Sequence, residues 1–122
     1  MRVQIRQLLF AATLGALAAP LLAAVLPVSA QNAPAAVAIE NFTFNPQRIA
    51  IKAGTTVTWT NKDDIPHAIA ATDKLFRSKV LDSDNSYSFT FTTPGIYAYF
   101  CSLHPHMTGT VVVEAAAGDA AH

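Results

Sequence analysis

What most constrains this chain is an alternation of polar and apolar residues with a period of two, repeated in short stretches between turn-forming residues. Thr56-Val57-Thr58-Trp59-Thr60 alternates, Tyr87, Phe89 and Phe91 alternate with Ser88, Thr90 and Thr92, and Ile49 and Ile51 alternate with Arg48 and Lys52. In an extended chain successive side chains point to opposite faces, so each stretch reads as a strand with one face in a core and one in water. Turn signals separate them at Asn45-Pro46, Ala53-Gly54, residues 61–64, residues 82–85 and Pro94-Gly95. Breaks at roughly 8 to 12 residue intervals, with no helical periodicity beyond the first thirty residues, predict an all-β antiparallel sandwich or barrel. Trp59 and the phenylalanines are its expected core. The continuous apolar run Thr110 to Val113 reads as a final, central strand.

The amino terminus is of a different kind. Arg2 and Arg6 precede an uncharged stretch from Leu8 to Leu26 that ends in Pro27-Val28-Ser29-Ala30. A positive start, an apolar middle and small residues at Val28 and Ala30 make residues 1–30 a cleavable signal peptide, cut after Ala30. The stretch is also long enough to span a bilayer as a retained anchor, but Pro20 and Pro27 interrupt it. Processing predicts a periplasmic or otherwise exported domain of residues 31–122, folded over about 36–114, with a weakly structured tail and no stable membrane insertion. A domain of this size has a modest core and often needs disulfides or a metal beside it. Cys101 is the single cysteine, so no internal bridge can form, and a lone thiol in an oxidising compartment calls for a partner.

Charge excludes one class of partner. Without Arg2 and Arg6 the chain has six Lys and Arg against eight Asp and Glu, scattered in ones and twos, a formal net of −2. There is no basic stripe for nucleic acid and no phosphate-binding glycine loop.

The chemistry-bearing residues follow the aromatic run Tyr97-Ala98-Tyr99-Phe100. Cys101-Ser102-Leu103-His104-Pro105-His106-Met107 places a thiol, an imidazole and a thioether within seven residues, and Gly109 opens the final strand. A soft thiolate with two imidazoles and a long axial methionine is the donor set of a type 1 (blue) copper site. The second imidazole must come from elsewhere. The upstream candidate is His67, in Asp63-Asp64-Ile65-Pro66-His67-Ala68 beyond the Trp59 strand, and its rivals are His106 and His122. Loops distant in sequence gather at one end of a sandwich, which favours His67. His106 is too close to His104 and Met107 to ligate beside them and reads as a solvated loop residue. For Cys101 the competing reading is an inert buried thiol, and for Met107 a gap-filling core residue. Trp59, Phe89 and Phe91 read as core rather than as an electron path, and Leu103, Pro66 and Pro105 as an apolar rim beside His104.

These residues resemble the cupredoxin family, most closely its amicyanin and plastocyanin-like bacterial members. The matching motifs are Trp59-Thr60-Asn61, Pro66-His67, the aromatic strand Tyr97 to Phe100, and Cys101, His104 and Met107, with the short C-x-x-H-x-x-M spacing of amicyanin. The resemblance implies an antiparallel Greek-key sandwich binding one type 1 copper through His67, Cys101, His104 and Met107. It also implies a monomeric, non-enzymatic electron carrier that exchanges electrons through the edge of His104 with a c-type cytochrome or a periplasmic dehydrogenase or oxidase. A copper delivery or storage protein and a zinc-binding structural domain are the alternatives. One departure stands out: the family commonly has asparagine directly after the early histidine, where this chain has Ala68.

Overall fold

The computed structural model describes residues 33–116, and within them the chain builds eight strands and no helix. They are β1 (Ala35–Glu40), β2 (Thr43–Asn45), β3 (Arg48–Lys52), β4 (Thr55–Asn61), β5 (Ala70–Ala71), β6 (Ser86–Phe91), β7 (Gly95–Cys101) and β8 (His104–Glu114). Two four-stranded sheets result, ordered β2-β1-β4-β6 and β3-β8-β7-β5. The expected signal peptide lies outside the described residues, as does His122.

The sheets are mixed, and the antiparallel expectation is corrected at two pairs. β1 runs parallel to β4 and β3 runs parallel to β8, while the other pairings are antiparallel. The reason lies in the route of the chain: it leaves β1 through the β2 hairpin, crosses to the second sheet as β3, and returns beside β1 as β4. Alternation along a strand reports which residues face inward and is blind to the direction of the neighbour. At the crossing, Gly54 adopts φ 99°, a conformation open to glycine and strained for other residues. The adjacent backbone ties the sheets together there, Ala53 N–H donating to Glu114 O and Gly54 N–H to Phe91 O.

The β4 alternation is realised residue by residue. Val57 and Trp59 are completely buried, as is Asn61 at the strand end, while Thr56, Thr58 and Thr60 face outward. Their hydroxyls meet those of Thr90, Ser88 and Ser86 at 2.6, 2.7 and 2.8 Å, a cross-strand ladder that satisfies polar side chains on the wetter face. Trp59 is the centre of the core, with the rings of Tyr99, Phe76, Tyr87 and Phe91 at centroid distances of 5.3 to 6.5 Å. Phe44, Phe76 and Phe91 are core as expected, but Phe42 is 44% exposed. The apolar run Thr110 to Val113 is central, since β8 lies between β3 and β7. β8 begins earlier than Gly109, at His104, because the ligand-bearing segment is itself part of a hairpin.

Candidate metal centre

The β7–β8 hairpin explains the spacing of its two donors. Cys101 ends β7 and His104 opens β8, and the two are cross-strand partners joined by Ser102 and Leu103. A two-residue turn sets residues i and i+3 opposite each other, so C-x-x-H faces a sulfur toward an imidazole. Cys101 Sγ lies 3.6 Å from His104 Nδ1.

His67 reaches the same sulfur from the other part of the molecule. It follows the turn after β4 and forms an antiparallel bridge with Leu81, each backbone N–H donating to the other's carbonyl at 2.7 and 3.1 Å. Its Nδ1 lies 3.7 Å from Cys101 Sγ. His67 and Cys101 have no solvent exposure; His104 is half-buried. Among the described residues these three form the group of His, Cys, Asp and Glu able to hold a metal ion, with donor atoms within 4.8 Å of one another. A first-row metal bound at about 2.0 Å to nitrogen and 2.3 Å to sulfur in a trigonal plane would hold N and S about 3.7 Å apart, so the cluster fits such an ion. Met107 is 6% exposed and belongs to the buried cluster that contains Cys101. His106 is exposed and stands outside the group.

Three features of this centre had no role assigned from the sequence, although Asn61 belonged to the matching Trp59-Thr60-Asn61 motif. The first is Asp63: its Oδ2 lies 2.8 Å from His67 Nε2, and its carboxylate also accepts the backbone N–H groups of Asn41 at 2.6 Å and Phe42 at 3.0 Å. Desolvation pushes the Asp63 carboxyl up, but the Phe42 and Asn41 N–H groups and the His67 ring outweigh it and hold the group below the ordinary carboxylate value. An acid four residues before the histidine was the available signal, but Asp64 stands beside it with no way to choose between them. The second is Phe42, whose ring packs edge-on against both imidazoles, 5.4 Å from His67 and 5.1 Å from His104. The third is Asn61, fully buried, whose side chain donates to Ile65 O and Leu81 O and accepts from Asp63 N–H, all at 2.9 Å. It fixes the turn that carries Asp63 and leads to His67.

The Ala68 departure has a limited effect on the sulfur. Its backbone N–H donates to Cys101 Sγ at 3.4 Å, and that bond does not depend on the side chain. The expected rim residues Leu103, Pro66 and Pro105 are exposed, joined by Ile65 and Phe42.

The family model for the cupredoxin-like domain matches residues 8–113. The chain is 41% identical over 118 residues to amicyanin-alpha of Methylorubrum extorquens, covering 89% of this chain and 99% of that protein. It is 38% identical over 96 residues to amicyanin of Paracoccus versutus, covering 72% and 73%. Among solved structures, a purple cupredoxin from Nitrosopumilus maritimus superposes with a TM-score of 0.64 at 35% identity, covering 66% of this chain and 99% of that one. By the extent of the family match and the identity to amicyanin-alpha, the chain belongs to the cupredoxin-like family.

Proposed function

We propose that this protein is a type 1 copper electron carrier in which His67 Nδ1, Cys101 Sγ and His104 Nδ1, with the Met107 thioether, would hold one copper ion. The observation that supports this reading is the approach of two imidazole nitrogens to one buried sulfur, at 3.6 and 3.7 Å. A thiolate and thioether suit Cu(I) and imidazoles tolerate Cu(II), so copper bound there would supply one-electron chemistry.

The work of the chain is to keep its donors nearly still. The β7–β8 hairpin holds Cys101 and His104, and the His67–Leu81 bridge holds the other imidazole, so little reorganisation accompanies a change of charge. The Ala68 N–H stabilises negative charge on the sulfur. Burial of His67 and Cys101 keeps water and outside ligands away, leaving the half-exposed His104 as the electron port. Exposed Leu103 and Phe42 supply an apolar rim suited to brief docking. A delivery or storage protein would use a more open, methionine-rich site, whereas this sequence has two methionines, Met1 and Met107. We place the protein in the periplasm after cleavage at Ala30, as a monomer serving a c-type cytochrome or a periplasmic dehydrogenase or oxidase. These assignments draw on its amicyanin relatives and on the amino-terminal sequence.

The test is to add Cu(II) to the purified domain and record its visible spectrum. An intense thiolate-to-copper band is expected, and it should vanish in Cys101→Ser. No band in the wild type, or a band that survives the substitution, rejects the assignment.

A further inference from the structure

We propose that two copies of this protein associate reversibly by pairing their β6 strands antiparallel, edge to edge, about a two-fold axis at Ser88, so that their β2-β1-β4-β6 sheets join into one. The inference goes beyond the carrier reading and does not depend on copper. Each copy keeps its own set of donors, so the monomer remains the carrier and the pair is the form it takes at high concentration.

The sheets end in β2, β6, β3 and β5, and three of these edges are guarded. β2 has three residues and is followed closely by Pro46, and β3 carries Arg48 and Lys52 at its two ends. β5 has two residues, and Arg77 bridges Ala70 on the side away from β7. Short length, proline, charge and cover are the devices that keep an edge from pairing. β6, Ser86–Phe91, consists of six uncharged residues without a proline.

Its outward backbone groups are unpaired. Asn61 N–H donates to Asn85 O in the register of the β4–β6 ladder. Hydrogen-bonded pairs recur at every second residue of an antiparallel ladder, so Tyr87, Phe89 and Phe91 turn their N–H and C=O groups toward β4. Ser86, Ser88 and Thr90 turn theirs away from it, and those groups have no other partner among the described residues.

The register identifies a second copy as the occupant, because β6 is its own complement. With Ser88 of one copy opposite Ser88 of the other, Ser86 meets Thr90 and Thr90 meets Ser86, and each of these pairs can exchange both backbone hydrogen bonds. On the inner face Tyr87 meets Phe89, a stabilising aromatic cross-strand pair. Two grooves strengthen the match. One runs beside Phe89 and Thr90 and is edged by Asp73 and by Leu75, 49% exposed; the other runs beside Ser86 and Tyr87 and is edged by Lys79 and by Val80, 52% exposed. The two-fold axis sets the first groove of one copy against the second groove of the other. Leu75 then comes beside Val80 and Asp73 beside Lys79, so apolar meets apolar and acid meets base. Phe42, Ile65 and Leu103 line neither groove, which leaves the rim around His104 open in the pair.

Sedimentation velocity of the purified protein from micromolar to millimolar concentration should show monomer giving way to dimer. Ser88→Pro spares the β4 ladder, since the Ser88 N–H points away from it, but removes two hydrogen bonds per dimer and should weaken pairing about 10- to 100-fold. Should proline disturb the strand, Ser88→Lys serves instead, setting two like charges face to face. Cysteines read the register under mild oxidation without added copper, Cys101 being buried. Ser88→Cys should cross-link to its own copy, whereas Ser86→Cys, facing Thr90, should do so far more slowly. Monomer across the whole range overturns the proposal. A dimer indifferent to the Ser88 substitutions, or equal cross-linking at the two positions, overturns it as well. None of these readouts involves copper, so the carrier reading stands or falls separately on its thiolate-to-copper band.

Discussion

Tyr99 shows how much of this molecule depends on single side chains. It is 1% exposed, packs against Trp59, and lies across from Gly109, where any added Cβ would collide with its ring. Gly109 is thus required by close approach, the space above it being filled by an aromatic ring from β7. Burial pushes the Tyr99 hydroxyl up to about 12, outweighing the neighbouring Trp59 side chain, which acts in the opposite direction. The unfolded chain ionises this group near 10, so the folded state favours the protonated form. Its contribution is complete below pH 10 and is lost as the pH rises toward 12, a difference on the order of 2–3 kcal/mol. Urea midpoints should therefore fall more steeply between pH 9.5 and about 11.5 in the wild type than in Tyr99→Phe. Equal slopes would show that another group controls alkaline stability.

At the scale of elements, the hairpin from β7 to β8 and the turns around it make the centre. Cys101 and His104 converge because a two-residue connection pairs them, out of step with the neighbouring Phe100–Thr108 pair, so this local turn sets the sulfur-to-nitrogen distance. Inserting one glycine between Ser102 and Leu103 should shift that pairing, turn one donor from the shared face, and abolish the thiolate-to-copper band while leaving the sheet signal in circular dichroism. A retained band would show that the length of the turn does not set the site. The spacing C-x-x-H was legible from sequence because it is local. Asp63 with the Asn41–Phe42 turn was not, since 22 and 21 residues separate their ends and nothing in a local pattern indicates which carboxylate will meet which backbone. Phe42 was misjudged for a related reason: hydrophobicity marks it as core, whereas its left-handed turn carries it to the surface beside the imidazoles.

Across the whole molecule, a small two-sheet core without disulfides gains stability from whatever binds its native state alone. The candidate donors come from segments as far apart as His67 and Cys101, so an ion held by them would cross-link the region after β4 to the β7–β8 hairpin. At free copper 100-fold above its dissociation constant, linkage adds about 2.7 kcal/mol, or roughly 10–20 °C in the melting temperature of a domain this size. Calorimetry of the Cu(I)-loaded protein should show that rise, and a Cys101→Ser variant should show little of it. By itself the sequence determined the strand faces, the place of Trp59 in the core and the grouping of Cys101, His104 and Met107 as donors within one short segment, because alternation and close spacing act between near neighbours. Only the tertiary structure decided that β1–β4 and β3–β8 run parallel, that His67 points Nδ1 toward the sulfur, and that Asp63 stands behind it. Those outcomes depend on how two sheets cross and close over one another, which brings together residues whose separation along the chain carries no signal.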